Sequence, residues 1–176
     1  MKPRPDESPE EYAARVALSL LKVRGWSRAE LTARLIARGC DASAASAAVD
    51  RLERLGLTGD AAYAREVVSA ELRRQPAAAA FLTEKLERRG IGEERAAGEV
   101  ARQTAGASEA ARAEELARSA WRPGGDDLKE RRRLAGVLAR RGFDEETAAW
   151  AIERVMGPMP EGDGSAGGPG DGEHGR

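Results

Sequence analysis

The sequence predicts an all-α protein, built as an elongated array, straight or curved, of three tandem three-helix modules. Side chains that favour strands are scarce, because 35 of the 176 residues are alanine and only seven are aromatic. This composition is typical of helices and disfavours a β-sandwich or barrel. An Arg-Gly-apolar motif also recurs three times, at spacings of 51 and 52 residues. Recurrence at a fixed period indicates a repeat architecture.

The repeat covers residues 31–52, 82–103 and 134–155. Each copy begins with leucine, has a second leucine four residues later, and then reaches an Arg-Gly-apolar corner. Glycine just after a helix adopts the left-handed conformation at little cost, and the next apolar residue folds back onto the last turn. The expected contacts are Cys40 on Leu35, Ile91 on Leu86, and Phe143 on Leu138. The next helices are expected to take Asp41, Gly92 and Asp144 as their N-caps.

The first module is assigned to residues 8–57. Residues 8–11, Ser-Pro-Glu-Glu, have the spacing of a capping box with proline at the first helical position, which predicts a helix running to about Arg24 and ended by Gly25. Residues 26–31 predict the second helix, because a serine and a glutamate three residues apart form another capping box. The flanking tryptophan and leucine are expected to form a hydrophobic staple.

The second module is assigned to residues 58–106, with its first helix beginning at Asp60 and its second helix opened by Pro76. The third, residues 107–156, is expected to have a helix from Ser108, a glycine-rich turn, and a helix from Asp127. These assignments give nine helices in all.

The two ends of the chain lack apolar periodicity. Residues 1–7 are interpreted as a flexible arm. Residues 157–176 contain eight glycines and three prolines, and such a segment buries too little apolar area to offset its backbone entropy. We therefore expect a disordered, acidic C-terminal tail.

Several classes of site are disfavoured by composition. The single cysteine, Cys40, excludes a disulfide within the chain, and the single histidine, His174, leaves the predicted folded part without a His-dependent triad or zinc site. No apolar run approaches the ~20 residues that span a bilayer. We therefore expect a cytoplasmic monomer that is no enzyme, has no cofactor or metal, and does not bind membranes.

The net charge of the chain is −1, but residues 12–156 carry 26 Lys and Arg against 22 Asp and Glu, a net of +4. A body of this charge can approach a polyanion, yet it lacks the strong field of a dedicated DNA-binding domain.

The order and spacing of these motifs resemble those of the RecX regulatory proteins, bacterial modulators of the RecA recombinase built from three-helix repeats. The resemblance is carried by residues 27–39, 55–64, 82–91 and 140–144. It implies a protein that binds RecA filaments on DNA and inhibits or modulates ATP hydrolysis, strand exchange and the co-protease function. These activities belong to DNA repair, recombination and the SOS response.

Clustered basic side chains are the candidates for contact with RecA, or with single- or double-stranded DNA directly. They are Arg34, Arg38, Arg73, Arg74, Lys85, Arg88, Arg89, Lys129, Arg131, Arg132, Arg133, Arg140 and Arg141. Arg38, Arg89 and Arg141 also fit a plain structural role, because a cation at a helix C-terminus is stabilised by the helix dipole. Two other hypotheses stay open: a helical-repeat nucleic-acid binder that acts without RecA, and a scaffold for another protein.

Overall fold

The computed structural model describes residues 2–158 of the chain, and these residues form nine α-helices and no strand. In chain order the helices are α1 (Pro9–Leu21), α2 (Arg28–Ile36), α3 (Ala42–Arg54), α4 (Asp60–Arg74), α5 (Ala79–Glu87), α6 (Glu93–Thr104), α7 (Glu109–Ala120), α8 (Asp127–Ala139) and α9 (Glu145–Met156). The predicted all-α class is confirmed. The predicted disordered tail lies outside the described residues from position 159 onward.

The helices pack in threes, and the extensive helix–helix contacts fall within the triplets α1–α3, α4–α6 and α7–α9. Each triplet has its own hydrophobic core. The two leucines of every repeat are almost fully buried; they are Leu31, Leu35, Leu82, Leu86, Leu134 and Leu138. The third core also includes Ala78, the N-cap of α5 in the second module. The predicted array of three tandem three-helix modules is confirmed for the described residues.

The glycine corners have the predicted geometry. Gly39, Gly90 and Gly142 have positive φ angles of 87°, 78° and 81°. The residue after each glycine donates its backbone N–H to the carbonyl oxygen five residues earlier, at 3.1, 3.2 and 3.3 Å in chain order. These bonds are those of a Schellman motif, in which the following apolar residue packs onto the last helical turn.

The capping boxes at the starts of α1 and α2 are both present, at Ser8 with Glu11 and at Ser27 with Glu30. The end of α1 was predicted wrongly, because the helix stops at Leu21 and Gly25 does not have a left-handed backbone. A Cβ on Gly25 would instead lie 3.2 Å from the Tyr63 ring in α4. This glycine therefore permits a close approach of the first two modules.

Pro76 does not open α5 as predicted, because the helix begins at Ala79 with Ala78 as its N-cap. The third module provides hydrogen-bond acceptors at this point. The Ala78 N–H donates to the carbonyl of Arg141 at 3.0 Å, and the Ala79 N–H donates to the Glu109 carboxylate at 3.0 Å. Two N–H groups at the start of the helix are thus satisfied from outside its own module.

Candidate partner-binding surface

Each junction between modules is formed by an Arg-Gly corner that lies against the N-terminal turn of a helix in the preceding module. At the first junction the Ser27 hydroxyl donates to the carbonyl of Arg89, and at the second the Ala78 N–H donates to the carbonyl of Arg141. A Cβ built on Gly90 would lie 2.5 Å from the Ala29 Cβ. The corner residues therefore fix how the modules meet.

A second set of contacts at the first junction involves Arg89. Its guanidinium donates to the Tyr63 hydroxyl, which in turn donates to the Glu30 carboxylate of α2 at 2.9 Å. Asp60, at the start of α4, accepts the Arg28 N–H at 2.8 Å. The predicted binding residue Arg89 is thus engaged within the protein.

The second junction contains a buried carboxylate, Glu71, which is only 8% exposed. It accepts from the Lys85 ammonium at 2.6 Å and from the Arg141 guanidinium at 3.2 Å. Burial opposes ionisation of Glu71, but the hydrogen bonds from these two cations hold its pKa below the ordinary value. Arg141 also donates to the carbonyls of Gln75 and Pro76, at 2.7 and 3.1 Å. Lys85 and Arg141, both predicted as binding residues, therefore take part in the structure of this junction.

The three consecutive arginines of α8, residues 131–133, point in three different directions, because successive residues of a helix are rotated by about 100°. Arg131 donates to the carbonyls of Gly157 and Pro158, at 2.7 and 3.1 Å. Arg133 donates to Glu130 at 2.6 Å, and this hydrogen bond lowers the pKa of the Glu130 carboxyl to about 2. Arg132 is exposed. The cluster therefore does not form a single patch.

The other candidates are exposed and spread over the array. Arg73, Arg88 and Lys129 interact with Ser69, Glu84 and Asp126, and Arg34 lies over the Trp26 ring at 5.2 Å. Four of the predicted binding residues are exposed arginines whose side chains have no hydrogen bond or ion pair to any residue in 2–158. These unpaired arginines are Arg38, Arg74, Arg132 and Arg140.

Sequence reasoning missed an apolar groove of about 730 Å³ between α8 and α9. Its lining includes the small residues Ala135, Gly136 and Ala139 of α8, together with Arg131 and Arg132. The corresponding positions of the second module are Thr83, Glu84 and Glu87. The first module has Thr32, Ala33 and Ile36 there, so small or apolar residues at these positions do not distinguish the third copy in the sequence.

The Cys40 thiol is buried, and burial raises its pKa, which keeps the thiol protonated. Within residues 2–158 we find no group of three or more His, Cys, Asp or Glu side chains arranged to hold a metal ion. None of the helices described above is both long enough and apolar enough to cross a bilayer.

Comparison with known proteins shows which family of proteins this chain is similar to. Residues 107–152 match a family model described as "RecX, third three-helix domain". The chain is 37% identical over 154 residues to "Regulatory protein RecX" of Mycobacterium sp. (strain JLS), covering 83% of this chain and 84% of the relative. It is 36% identical over 150 residues to the protein of that name in Mycobacterium avium (strain 104), covering 84% and 86%.

Solved structures show the same fold at lower identity. The crystal structure of RecX from Lactobacillus salivarius superposes with a TM-score of 0.69 at 16% identity, covering 84% of this chain and 97% of that chain. A second crystal structure of a regulatory protein RecX gives a TM-score of 0.67 at 17% identity, covering 84% and 73%. With more than a third of its residues identical to those of its mycobacterial relatives over most of both chains, the chain belongs to the RecX family of regulatory proteins.

Proposed function

We propose that this protein binds RecA nucleoprotein filaments in the bacterial cytoplasm and restrains ATP hydrolysis, strand exchange and the co-protease function. The observation that carries the proposal is the extended identity to proteins named regulatory protein RecX. On this proposal the protein acts by binding, without a catalytic site or cofactor, during DNA repair, recombination and the SOS response.

The arrangement of the modules supports this proposal. A filament presents the same subunit surface repeatedly, and an array of three modules can contact more than one subunit at once. Linked contacts of this kind raise overall affinity without any single strong site. The unpaired arginines are also spread over all three modules. Arg38 lies in the first module, Arg74 in the second, and Arg132 and Arg140 in the third.

A co-sedimentation experiment tests the proposal. RecA is assembled on single-stranded DNA with a non-hydrolysable ATP analogue, and the protein is expected to pellet with these filaments and much less with free RecA. Failure to pellet with filaments at micromolar concentrations contradicts the proposal.

Paired substitutions test the role of the unpaired arginines. Arg132→Ala combined with Arg140→Ala removes two unpaired cations, and we expect filament binding about tenfold weaker, equivalent to ~1.4 kcal/mol. Arg118→Ala is the matched control, because Arg118 is exposed but forms an ion pair with Glu114. An equal effect of the control and the double variant contradicts a specific role for the unpaired arginines.

Direct DNA binding is the second candidate function, and the four unpaired arginines are the observation that favours it. Each neutralised phosphate contributes about −0.9 to the slope of log affinity against log salt. Contacts by these four arginines alone therefore predict a slope of about −3.6 for duplex DNA without RecA. Absence of binding to DNA alone at 50 mM salt removes this candidate and leaves RecA as the partner.

A further inference from the structure

The repeat contains three Arg-Gly corners, and two of them are covered by the preceding module. Gly90 lies against Ala29, and a Cβ on Gly142 would lie 2.6 Å from the Phe81 Cβ. Gly39 has the same left-handed backbone, but no atom of the described residues lies within 4 Å of its Cβ position. The first corner is therefore an open copy of a surface that is used twice within the protein.

The two covered corners show what such a surface accepts. In both cases the occupant is the N-terminal turn of a helix, α2 at the first junction and α5 at the second. The N-cap residue of that helix, Ser27 or Ala78, donates a hydrogen bond to the carbonyl of the corner arginine. The positive end of the helix dipole also faces that carbonyl, which favours the contact.

The open corner keeps the groups that the covered corners use. Arg38 is exposed, and its carbonyl oxygen accepts no hydrogen bond from residues 2–158. A depression of about 310 Å³ lies beside it, lined in part by Pro3, Glu7 and Tyr12. The described part of the segment before α1, residues 2–8, is held to Arg15 through Glu7 at 2.6 Å and leaves Gly39 uncovered.

A second copy of this chain does not offer the matching helix end. In the first two modules only three helical residues precede the first repeat leucine, Leu31 or Leu82. In the third module α8 begins seven residues before Leu134, at Asp127. The position that matches Ser27 and Ala78 is therefore Glu130, whose backbone N–H is already bonded to the carbonyl of Asp126 at 2.9 Å. The additional turn thus occupies the place where a fourth corner would dock.

We propose that the open corner, residues 38–40, docks onto the N-terminal turn of a helix in a partner protein. The partner helix has an N-cap group that donates a hydrogen bond to the Arg38 carbonyl, and a residue of its first turn lies against Gly39 as Ala29 and Phe81 lie against the covered glycines. Under the function proposed above, on which this inference rests, the helix belongs to a subunit of the recombinase filament. The corner then attaches the first module to the filament in the way that the modules attach to each other.

Two matched substitutions test this docking. Gly39→Asn places a side chain on the open corner, and Gly56→Asn does so at the end of α3 in the same module, where φ is +68° and the Cβ position is also open. Asparagine tolerates the left-handed conformation better than most residues. Thermal unfolding is therefore expected to be similar for both variants.

Binding is measured on RecA filaments assembled on single-stranded DNA with a non-hydrolysable ATP analogue. We expect Gly39→Asn to weaken binding at least tenfold and Gly56→Asn to change it less than twofold. Equal binding by both variants and the natural protein overturns the docking and leaves the proposed function in place. Absence of binding by the natural protein overturns the proposed function, and the docking with it.

Photo-crosslinking identifies the occupant. The photo-reactive amino acid benzoylphenylalanine replaces Arg38, and in a control it replaces Arg54, which is exposed in the last turn of α3. On the filament, position 38 is expected to crosslink to the first turn of a RecA helix, and position 54 is not. Crosslinks from position 38 only to DNA, or to the middle of a helix, overturn the docking.

Discussion

Gly90 and Gly142 each satisfy two constraints, because each has a positive φ and each lies against the preceding module. Gly39 satisfies the first constraint alone, since the space around its Cβ position is open. The three corners therefore separate the effect of backbone strain from the effect of close packing. The sequence predicts the left-handed backbone at all three glycines, because a glycine that ends a helix is a local signal. It does not reveal which corners are covered by another module.

Substituting alanine at the three corners measures this difference. Gly39→Ala is expected to lower the free energy of unfolding by ~1 kcal/mol, because an L-residue is strained in the left-handed region. Gly90→Ala and Gly142→Ala add overpacking against Ala29 and Phe81, which typically costs a further ~1–3 kcal/mol. Urea unfolding followed by circular dichroism provides the measurement. Equal losses at the three positions contradict the covered-corner geometry.

The buried carboxylate Glu71 makes the second junction sensitive to acid. Since the pKa of Glu71 is lowered in the folded state, its ionised form stabilises the fold above the unfolded pKa of ~4.3. This stabilisation is lost as the pH falls through the folded pKa. The melting temperatures of the natural protein and Glu71→Gln are therefore expected to differ at pH 7 and to converge towards pH 3.

The control for this prediction is Glu84→Gln, because Glu84 is exposed and pairs only with the exposed Arg88. Its melting temperature is expected to follow that of the natural protein at both pH values. A constant difference between the natural protein and Glu71→Gln from pH 7 to pH 3 contradicts the ionised junction.

At the scale of helices, α1 and α2 begin with equivalent capping boxes but differ in their surroundings. Ser8 is exposed and only caps α1, whereas Ser27 is fully buried and also donates to the carbonyl of Arg89. Ser8→Ala is expected to lower the free energy of unfolding by ~1 kcal/mol through loss of the cap. Ser27→Ala is expected to lower it by at least ~1 kcal/mol more, because a carbonyl at the junction loses its donor.

Thermal unfolding of these two variants tests the difference, with the natural protein as reference. Equal melting temperatures for Ser8→Ala and Ser27→Ala show that the bond to Arg89 contributes nothing to stability, and they contradict the role given to Ser27.

Helix ends set by local chemistry were predictable, and those set by other modules were not. The starts at Ser8 and Ser27 follow from capping boxes within four residues of sequence. The start of α5 involves a residue far along the chain, because the Ala78 N–H donates to the carbonyl of Arg141, and Gly25 after α1 lies against Tyr63. A single sequence does not show these long-range contacts.

The candidate binding surface was also only partly predictable, because the pairing of its side chains depends on long-range contacts. Sequence identifies basic residues, but it does not show which of them meet a carboxylate. Arg140 and Arg141 are neighbours, yet Arg140 is exposed and unpaired within residues 2–158, while Arg141 is bonded to Glu71. The groove between α8 and α9 was missed for a related reason, because alanine and glycine also suit a tightly packed helix.

At the scale of the whole molecule, the array has two different ends. The first module leaves its corner open, and the third module ends the series with the longer N-terminus of α8. At both internal junctions the carbonyl of the corner arginine accepts a hydrogen bond, but the donor is the Ser27 hydroxyl at the first junction and the Ala78 backbone N–H at the second. Because its two ends are not equivalent, the protein suits attachment in one defined orientation to a filament whose two ends also differ.

The most direct measurement is the rate of ATP hydrolysis by RecA on single-stranded DNA as this protein is added. We expect the rate to fall at a ratio well below one protein per RecA subunit, because one bound array restrains several neighbouring subunits. DNA is kept in excess over this protein, so that coating of free DNA does not contribute. A rate that stays unchanged up to an excess of protein over RecA contradicts the assignment of this chain as a regulator of the recombinase filament.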